Sequence, residues 1–128
     1  MIMPVGADNF THAVQMGSET YHVLKKIISK EYGTTGTGVG DEGGFAPDID
    51  TESEALDLLV KAIKEAGYEG KMKIALDPAS SEFWRAEHKH YDLSFKSKTK
   101  RHLSTAAMID LYGELISKYP IASIEDGL

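Results

Sequence analysis

Short apolar segments alternate with longer amphipathic segments along this chain of 128 residues, and this alternation limits the possible folds most strongly. Apolar residues at intervals of three and four predict three helices, each after a residue that commonly caps a helix start: Asn9, Thr51 and Ser104. Short apolar runs predict buried strands over residues 1–5, 73–77 and 121–125. Strands that alternate with helices of this length indicate an α/β fold built from parallel units.

The predicted helices also have clear ends. The first helix should run to about Tyr32 and stop at Gly33, the second should end at Gly67, and the third should end at Tyr119 and Pro120. Between the second strand and the third helix, residues 82–96 alternate weakly between polar and apolar side chains, which predicts a hairpin-like excursion. Residues 96–101 are basic and are expected to be solvated, as are the histidines of the excursion, which lack metal-ligand spacing.

Composition excludes several classes of function. The chain has 20 acidic and 14 basic residues and a net charge of −6, which argues against a nucleic-acid partner because such binding depends on phosphate neutralisation. The absence of cysteine excludes disulfides and thiolate chemistry and fits a cytoplasmic location. No apolar run approaches the roughly 20 residues of a membrane span, and residues 1–5 are too short for a signal peptide.

An acidic pair, Asp41 and Glu42, stands between Gly40 and the glycines at 43 and 44. Flanking glycines give the backbone unusual freedom, so that the two carboxylates can be held at a chosen point. The G-x-G-x-x-G match over residues 38–43 is spurious, since it neither follows a strand nor opens a helix. A solvated surface loop is the alternative interpretation, but the apolar Phe45 that follows would seat the loop against a core.

Two further carboxylates, Asp77 and Glu125, end predicted strands. In parallel sheets and barrels the ligand site lies at the carboxyl ends of the strands, where acidic side chains serve function better than stability. The alternative for Asp77 is that it caps the turn that follows. Asp126 competes with Glu125, but side chains alternate along a strand, so only one of them should point into the site. Acidic residues on separate loops are typical of a hard-metal or proton-transfer site.

Several segments of this chain closely resemble the enolase family, the phosphopyruvate hydratases. The segments are residues 1–7, 17–22, 40–47, 76–83 and 123–128, and they occur in the family's order with similar spacing. The resemblance covers essentially the whole chain. It implies an incomplete enolase-type β/α (TIM-like) barrel, in which residues 1–128 form part of the C-terminal catalytic domain and the N-terminal domain and the end of the barrel are absent.

The resemblance also implies roles for individual residues. Glu42 corresponds to the acid that assists departure of the substrate hydroxyl. Asp77 and Glu125 correspond to two of the three carboxylates that hold a Mg²⁺ ion, and Asp41 and Asp126 correspond to supporting residues. The third metal carboxylate, the base lysine and a second lysine of the family would lie beyond Leu128, and the partner glutamate of Glu42 would lie before Met1. Pro78 departs from the family, where Cys or Val is more usual.

The implied activity is the reversible dehydration of 2-phosphoglycerate to phosphoenolpyruvate in glycolysis and gluconeogenesis, by a homodimer or larger homo-oligomer. Two alternatives stay open. The isolated chain, which we expect to be inactive and poorly stable, could serve as a barrel fragment or protein-interaction module. The parent could also be another member of the wider superfamily that acts on a different acid.

Overall fold

The computed structural model describes residues 1–94 and 99–128 and confirms all three predicted helices. The α-helices are α1 (Phe10–Tyr32), α2 (Glu52–Glu65) and α3 (Thr105–Lys118). The strands are β1 (Ile2–Met3), β2 (Lys73–Leu76), β3 (Trp84–Arg85), β4 (His90–Asp92), β5 (His102–Leu103) and β6 (Ile121–Ile124). Short 3₁₀ helices cover Thr34–Thr37 and Ser80–Glu82.

The three predicted capping residues begin the three helices. The side-chain oxygens of Asn9, Thr51 and Ser104 accept the backbone N–H of the residue three positions on, at 2.9, 3.3 and 3.2 Å. These bonds satisfy N–H groups that have no partner inside the helix. Glu54 stands three residues after Thr51, as in a capping box, in which the acid accepts the N–H of the capping residue. Here its carboxylate instead accepts the N–H of the preceding residue, Asp50, at 3.0 Å.

The described chain divides into two compact units, of which the first is Ile2–Met72. Here α1 packs on α2 around buried apolar side chains: Ile27, Ile28, Leu58 and Ala62. Phe45 and Ile49, which follow the glycine-rich loop, pack against the same cluster. Gly36 allows a close approach, since a Cβ atom there would lie 2.8 Å from the Cβ of Tyr32. The glycine-rich loop is therefore attached to the core of this unit through the residues that follow it.

The second unit consists of Lys73–Leu128 together with Met1. Its strands β2 and β6 are parallel neighbours, with Leu76 paired to Ile124 and a register irregularity between Ile74 and Ala75. The connection between them contains α3, as a parallel crossover requires. Each of these strands ends one residue earlier than predicted, so that Asp77 and Glu125 are the first residues beyond them.

The predicted excursion over residues 82–96 contains β3 and β4, and with β5, which lies beyond it, they form an antiparallel sheet in the order β3-β4-β5. Tyr91 lies between Trp84 and Leu103 in this sheet, and α3 contacts β4 and β5. Phe83, Tyr91 and Met108 form its buried core, which confirms the packing role expected for Phe83. The strand β5 was not predicted, since a strand of two residues shows no periodicity.

The basic stretch is only partly as expected. Residues 95–98, which include the end of the excursion and the start of the stretch, lie outside the described residues. The backbone of Arg101 is hydrogen-bonded to the sheet and is therefore not fully solvated. Its backbone N–H donates to the Ser94 hydroxyl at 2.7 Å, and its carbonyl accepts the N–H of Leu93 at 2.9 Å.

Candidate active site

Asp77 and Glu125 follow neighbouring parallel strands at the same edge of the pair. Leu76 of β2 and Ile124 of β6 are register partners, and the N–H of Glu125 donates to the carbonyl of Leu76 at 3.0 Å. The two acidic residues therefore begin adjacent loops at the carboxyl ends of their strands, and both are exposed. This is the edge at which α/β folds bind ligands.

A second backbone hydrogen bond joins these loops beyond the two acids. The N–H of Ser80 donates to the carbonyl of Asp126 at 3.0 Å, and the Ser80 residue is only 1% exposed. Asp126 adopts a left-handed conformation with φ of 48°, which aspartate tolerates better than most residues. The Tyr112 hydroxyl donates to the next carbonyl, that of Gly127, at 2.8 Å. Bonds on both sides thus fix the backbone that carries Asp77 and Glu125.

Asp77 also caps the turn that follows it, the alternative role that the sequence left open. Its Oδ1 accepts the N–H of Ala79 at 3.2 Å, which closes a turn across Pro78. Proline has no N–H, but the donor in this turn is the N–H of Ala79, so Pro78 does not disturb the bond. One bond uses only part of the capacity of an ionised carboxylate, which offers about four lone-pair sites. The turn therefore gives Asp77 a structural role and occupies one of these lone-pair sites.

The glycine-rich loop closes as a small hairpin with its two acids at the tip. Val39 and Phe45 form an antiparallel bridge, and the N–H of Gly40 donates to the carbonyl of Gly44 at 2.9 Å. The N–H of Gly43 donates to the carbonyl of Gly40, also at 2.9 Å, so Asp41 and Glu42 are the central residues of the turn. Gly43 has φ of 79°, which explains the need for glycine there. The sequence interpretation of this loop as a holder for Asp41 and Glu42 fits this geometry.

Tyr21 of α1 contacts this hairpin at two points. Its hydroxyl donates to the carbonyl of Gly43 at 2.9 Å, and its ring stacks on that of Phe45 with centroids 4.4 Å apart. The sequence predicts a helix that contains Tyr21 but does not predict this contact. Nothing in a helical stripe reveals where a tyrosine hydroxyl will point.

The candidate residues fall into two sets. Asp41 and Glu42 belong to the first unit, and Asp77, Glu125 and Asp126 belong to the second. Within residues 1–94 and 99–128, no group of three or more histidine or acidic side chains is arranged to hold a metal ion. The pair Asp77 and Glu125 nevertheless fits the donor chemistry of Mg²⁺, which often binds through only one or two protein carboxylates and fills its remaining positions with other oxygens.

Other polar clusters belong to the sheet of β3, β4 and β5. The ring of His90 stacks on that of His102 at 4.2 Å and on that of His88 at 5.5 Å, an arrangement that sequence reasoning did not anticipate. Hydrogen bonds from Ser94 hold the pKa of Asp92 below its ordinary value, with smaller contributions from His102 and Arg85. These interactions tie β4 to the segments on either side of it.

The fold and these residues define an α/β domain with acidic side chains at the carboxyl ends of its parallel strands. The family model for the enolase C-terminal TIM barrel domain matches residues 1–128, and the chain belongs to this family. The predicted fold class, part of an enolase-type β/α barrel, is thereby confirmed. In the described part of the chain, no helix has both the length and the apolar character needed to cross a membrane.

Proposed function

We propose that the polypeptide containing this domain is an enolase, which converts 2-phosphoglycerate reversibly to phosphoenolpyruvate and water with the help of Mg²⁺. The observation that carries this proposal is the placement of Asp77 and Glu125 on adjacent loops at the carboxyl edge of β2 and β6. The acidic hairpin with Glu42 at its tip supports it, since the reaction needs both a cation site and a proton donor.

Asp77 and Glu125 would hold Mg²⁺, and the bound ion would supply positive charge that stabilises the charge developing on the substrate carboxylate. Removal of a proton beside a carboxylate that is already negative is the difficult part of this reaction. Carboxylate oxygens are the ligands that Mg²⁺ prefers. The hydrogen-bonded backbone around the two acids would limit changes in their spacing, which favours an ion with strict geometric demands.

Glu42 would donate a proton to the hydroxyl that leaves from the neighbouring carbon, so that it departs as water. Hydroxide is a poor leaving group, and a positioned acid lowers this barrier. The turn from Gly40 to Gly43 gives Glu42 a defined position without covering it. The resemblance implies a lysine as the base that removes the carbon-bound proton, and Asp41 and Asp126 would support the acids beside them.

Turnover by the polypeptide as its source produces it tests this proposal. Formation of phosphoenolpyruvate from 2-phosphoglycerate should require Mg²⁺, and Glu42→Gln should lower kcat by about 10²- to 10⁴-fold, the usual contribution of a general acid. Asp48→Asn is the matched control, because Asp48 is an exposed acid shortly after the same loop. Full activity of Glu42→Gln would contradict the assigned role.

The choice of substrate needs its own test, because membership of this domain family is compatible with other acids. A panel of 2-phosphoglycerate and several sugar acids should give turnover with 2-phosphoglycerate alone. Turnover with a sugar acid instead would assign the protein to another branch of the superfamily. The isolated 128-residue chain should be inactive, and activity that survives removal of contaminating enzyme would contradict this.

We also propose a cytoplasmic location and a homodimeric or larger assembly, with no nucleic-acid partner. The net charge of −6 and the absence of cysteine are compatible with this setting. Light scattering after size-exclusion chromatography would measure the assembly directly, and a monomer would contradict it.

A further inference from the structure

We infer that Tyr21 is a positioning residue for Glu42, which holds the acidic hairpin at a fixed place on α1. The inference rests on the proposed function of Glu42 as the proton donor. Its structural basis is the double contact of Tyr21 with the hairpin, a hydrogen bond of 2.9 Å to the carbonyl of Gly43 and a ring stacked at 4.4 Å on Phe45.

The hairpin is closed by its own backbone but needs an external anchor. Its backbone hydrogen bonds join residues of the loop to one another. The N–H groups of Gly40, Gly43 and Ala46 donate to the carbonyls of Gly44, Gly40 and Gly38, respectively. Such bonds fix the shape of the hairpin and leave its angle to the rest of the unit undetermined. Anchors outside the loop must set that angle, and with it the position of Glu42.

Tyr21 provides such an anchor close to the acid. Gly43 follows Glu42 directly, so the carbonyl that accepts from the Tyr21 hydroxyl is only one residue away from the acid. Phe45 lies two residues further along, and it also packs against the core shared by α1 and α2. The hydrogen bond and the ring contact thus fix two points of the hairpin, which restricts its rotation as well as its translation.

The contact does not make Tyr21 a participant in the chemistry. Its hydroxyl proton is directed at a backbone carbonyl, whereas Glu42 is exposed at the tip of the turn. Its effect on the reaction would therefore pass through Glu42. A general acid must lie within hydrogen-bond reach of the leaving group, and misplacement by about 1 Å can cost about 10²-fold in rate.

The test compares Tyr21→Phe with the wild-type protein in the natural polypeptide. Phenylalanine keeps the ring that stacks on Phe45 and removes the hydroxyl donor. We expect kcat to fall by about tenfold, within the range known for misplaced catalytic groups, while KM and the melting temperature change little. Tyr68→Phe is the matched control, because it removes a hydroxyl that donates to Glu19 on the same helix. It should leave kcat unchanged.

A double variant separates positioning from a general loss of structure. In the Glu42→Gln background, Tyr21→Phe should cause no further loss of kcat, because the group through which it acts is already gone. An equal loss in both backgrounds would overturn the inference. So would wild-type kcat in the single variant. Phe45→Leu, which removes the stacked ring and keeps an apolar side chain, should lower kcat in the same Glu42-dependent way.

Hydrogen exchange of the hairpin amides keeps this test distinct from that of the proposed function. Exchange at Gly43 should be faster in Tyr21→Phe and unchanged in Tyr68→Phe. If the wild-type protein does not dehydrate 2-phosphoglycerate, the proposed function fails, and faster exchange then supports only the anchoring of the hairpin by Tyr21. If the wild-type protein is active and Tyr21→Phe matches it in kcat and exchange, the inference alone fails.

Discussion

The backbone N–H of Ser80 donates to the carbonyl of Asp126 at 3.0 Å and so joins the loops that follow β2 and β6. The N–H of Glu125 donates to the carbonyl of Leu76, so backbone hydrogen bonds hold the chain on both sides of Asp77. These two bonds explain how exposed loops could hold the backbone of Asp77 and Glu125 at a constant spacing.

The left-handed conformation of Asp126 should make this position sensitive to side-chain shape. Asp126→Val should lower the free energy of unfolding by about 1–2 kcal/mol, because a β-branched residue resists positive φ. Asp126→Gly should leave stability close to that of the wild type, since glycine accepts this conformation. Chemical denaturation of the two variants measures the difference. Equal stabilities would mean that the loop does not hold Asp126 at φ of 48°.

Gly43 should be more sensitive to substitution than Gly40 at the other end of the same turn. Gly43→Ala places a side chain at φ of 79° and should cost about 1–2 kcal/mol of stability or distort the turn. At Gly40 an added Cβ meets no atom within 4 Å and no positive φ is involved, so Gly40→Ala is the control. Turnover and denaturation of both variants provide the comparison. Loss of activity only in Gly40→Ala would contradict the geometry of the hairpin.

Thr20 offers a stabilising substitution on α1. It is 1% exposed, and among the residues that the structure describes its hydroxyl oxygen has no hydrogen-bond partner. Thr20→Val removes this polar group at nearly constant volume and should raise the free energy of unfolding by about 1 kcal/mol. Thr11→Val, at an exposed position of the same helix, should change stability little. A loss of stability in Thr20→Val would indicate that the hydroxyl is satisfied in solution.

Asp92 should make stability depend on pH on the acid side. Hydrogen bonds from Ser94 lower the pKa of Asp92 in the folded state, below its ordinary value of 3.8. The resulting stabilisation is complete above the unfolded-state pKa and is lost as the pH falls through the lower, folded-state pKa. Ser94→Ala should raise the pKa of Asp92 part of the way, because the N–H of residue 94 still donates. An NMR titration of the Asp92 carboxyl group measures this, and an unchanged pKa would contradict it.

The sequence predicted those parts of the fold that depend on local chemistry. Asn9 and Gly33 mark the ends of α1 as expected, since a helix cap and a positive φ are properties of single residues. The parallel direction of β2 and β6 also agrees with the parallel units predicted from the alternation of elements. By contrast, β5 and the stacked ring of His102 depend on contacts between segments, which no local pattern encodes.

The candidate site was predictable to a similar degree. Asp77 and Glu125 could be placed at strand ends from the apolar runs before them, and the structure adds the bond between Glu125 and Leu76 that holds them in register. The contact of Tyr21 with Gly43 could not be predicted, because 22 positions separate the two residues and the acceptor is a backbone carbonyl. The roles of Asp77, Glu125 and Glu42 in a reaction stay predictions.

The most direct test of the account is the Mg²⁺ dependence of 2-phosphoglycerate dehydration in wild-type protein, Asp77→Asn and Glu125→Gln. Each substitution removes a charged ligand and should raise the Mg²⁺ concentration needed for half-maximal activity by at least about tenfold, as even indirect changes to metal sites commonly do. Glu87→Gln, at an exposed acid in the excursion, should behave as wild type. An unchanged Mg²⁺ requirement in both Asp77→Asn and Glu125→Gln would contradict the assignment of these residues as the metal-binding pair.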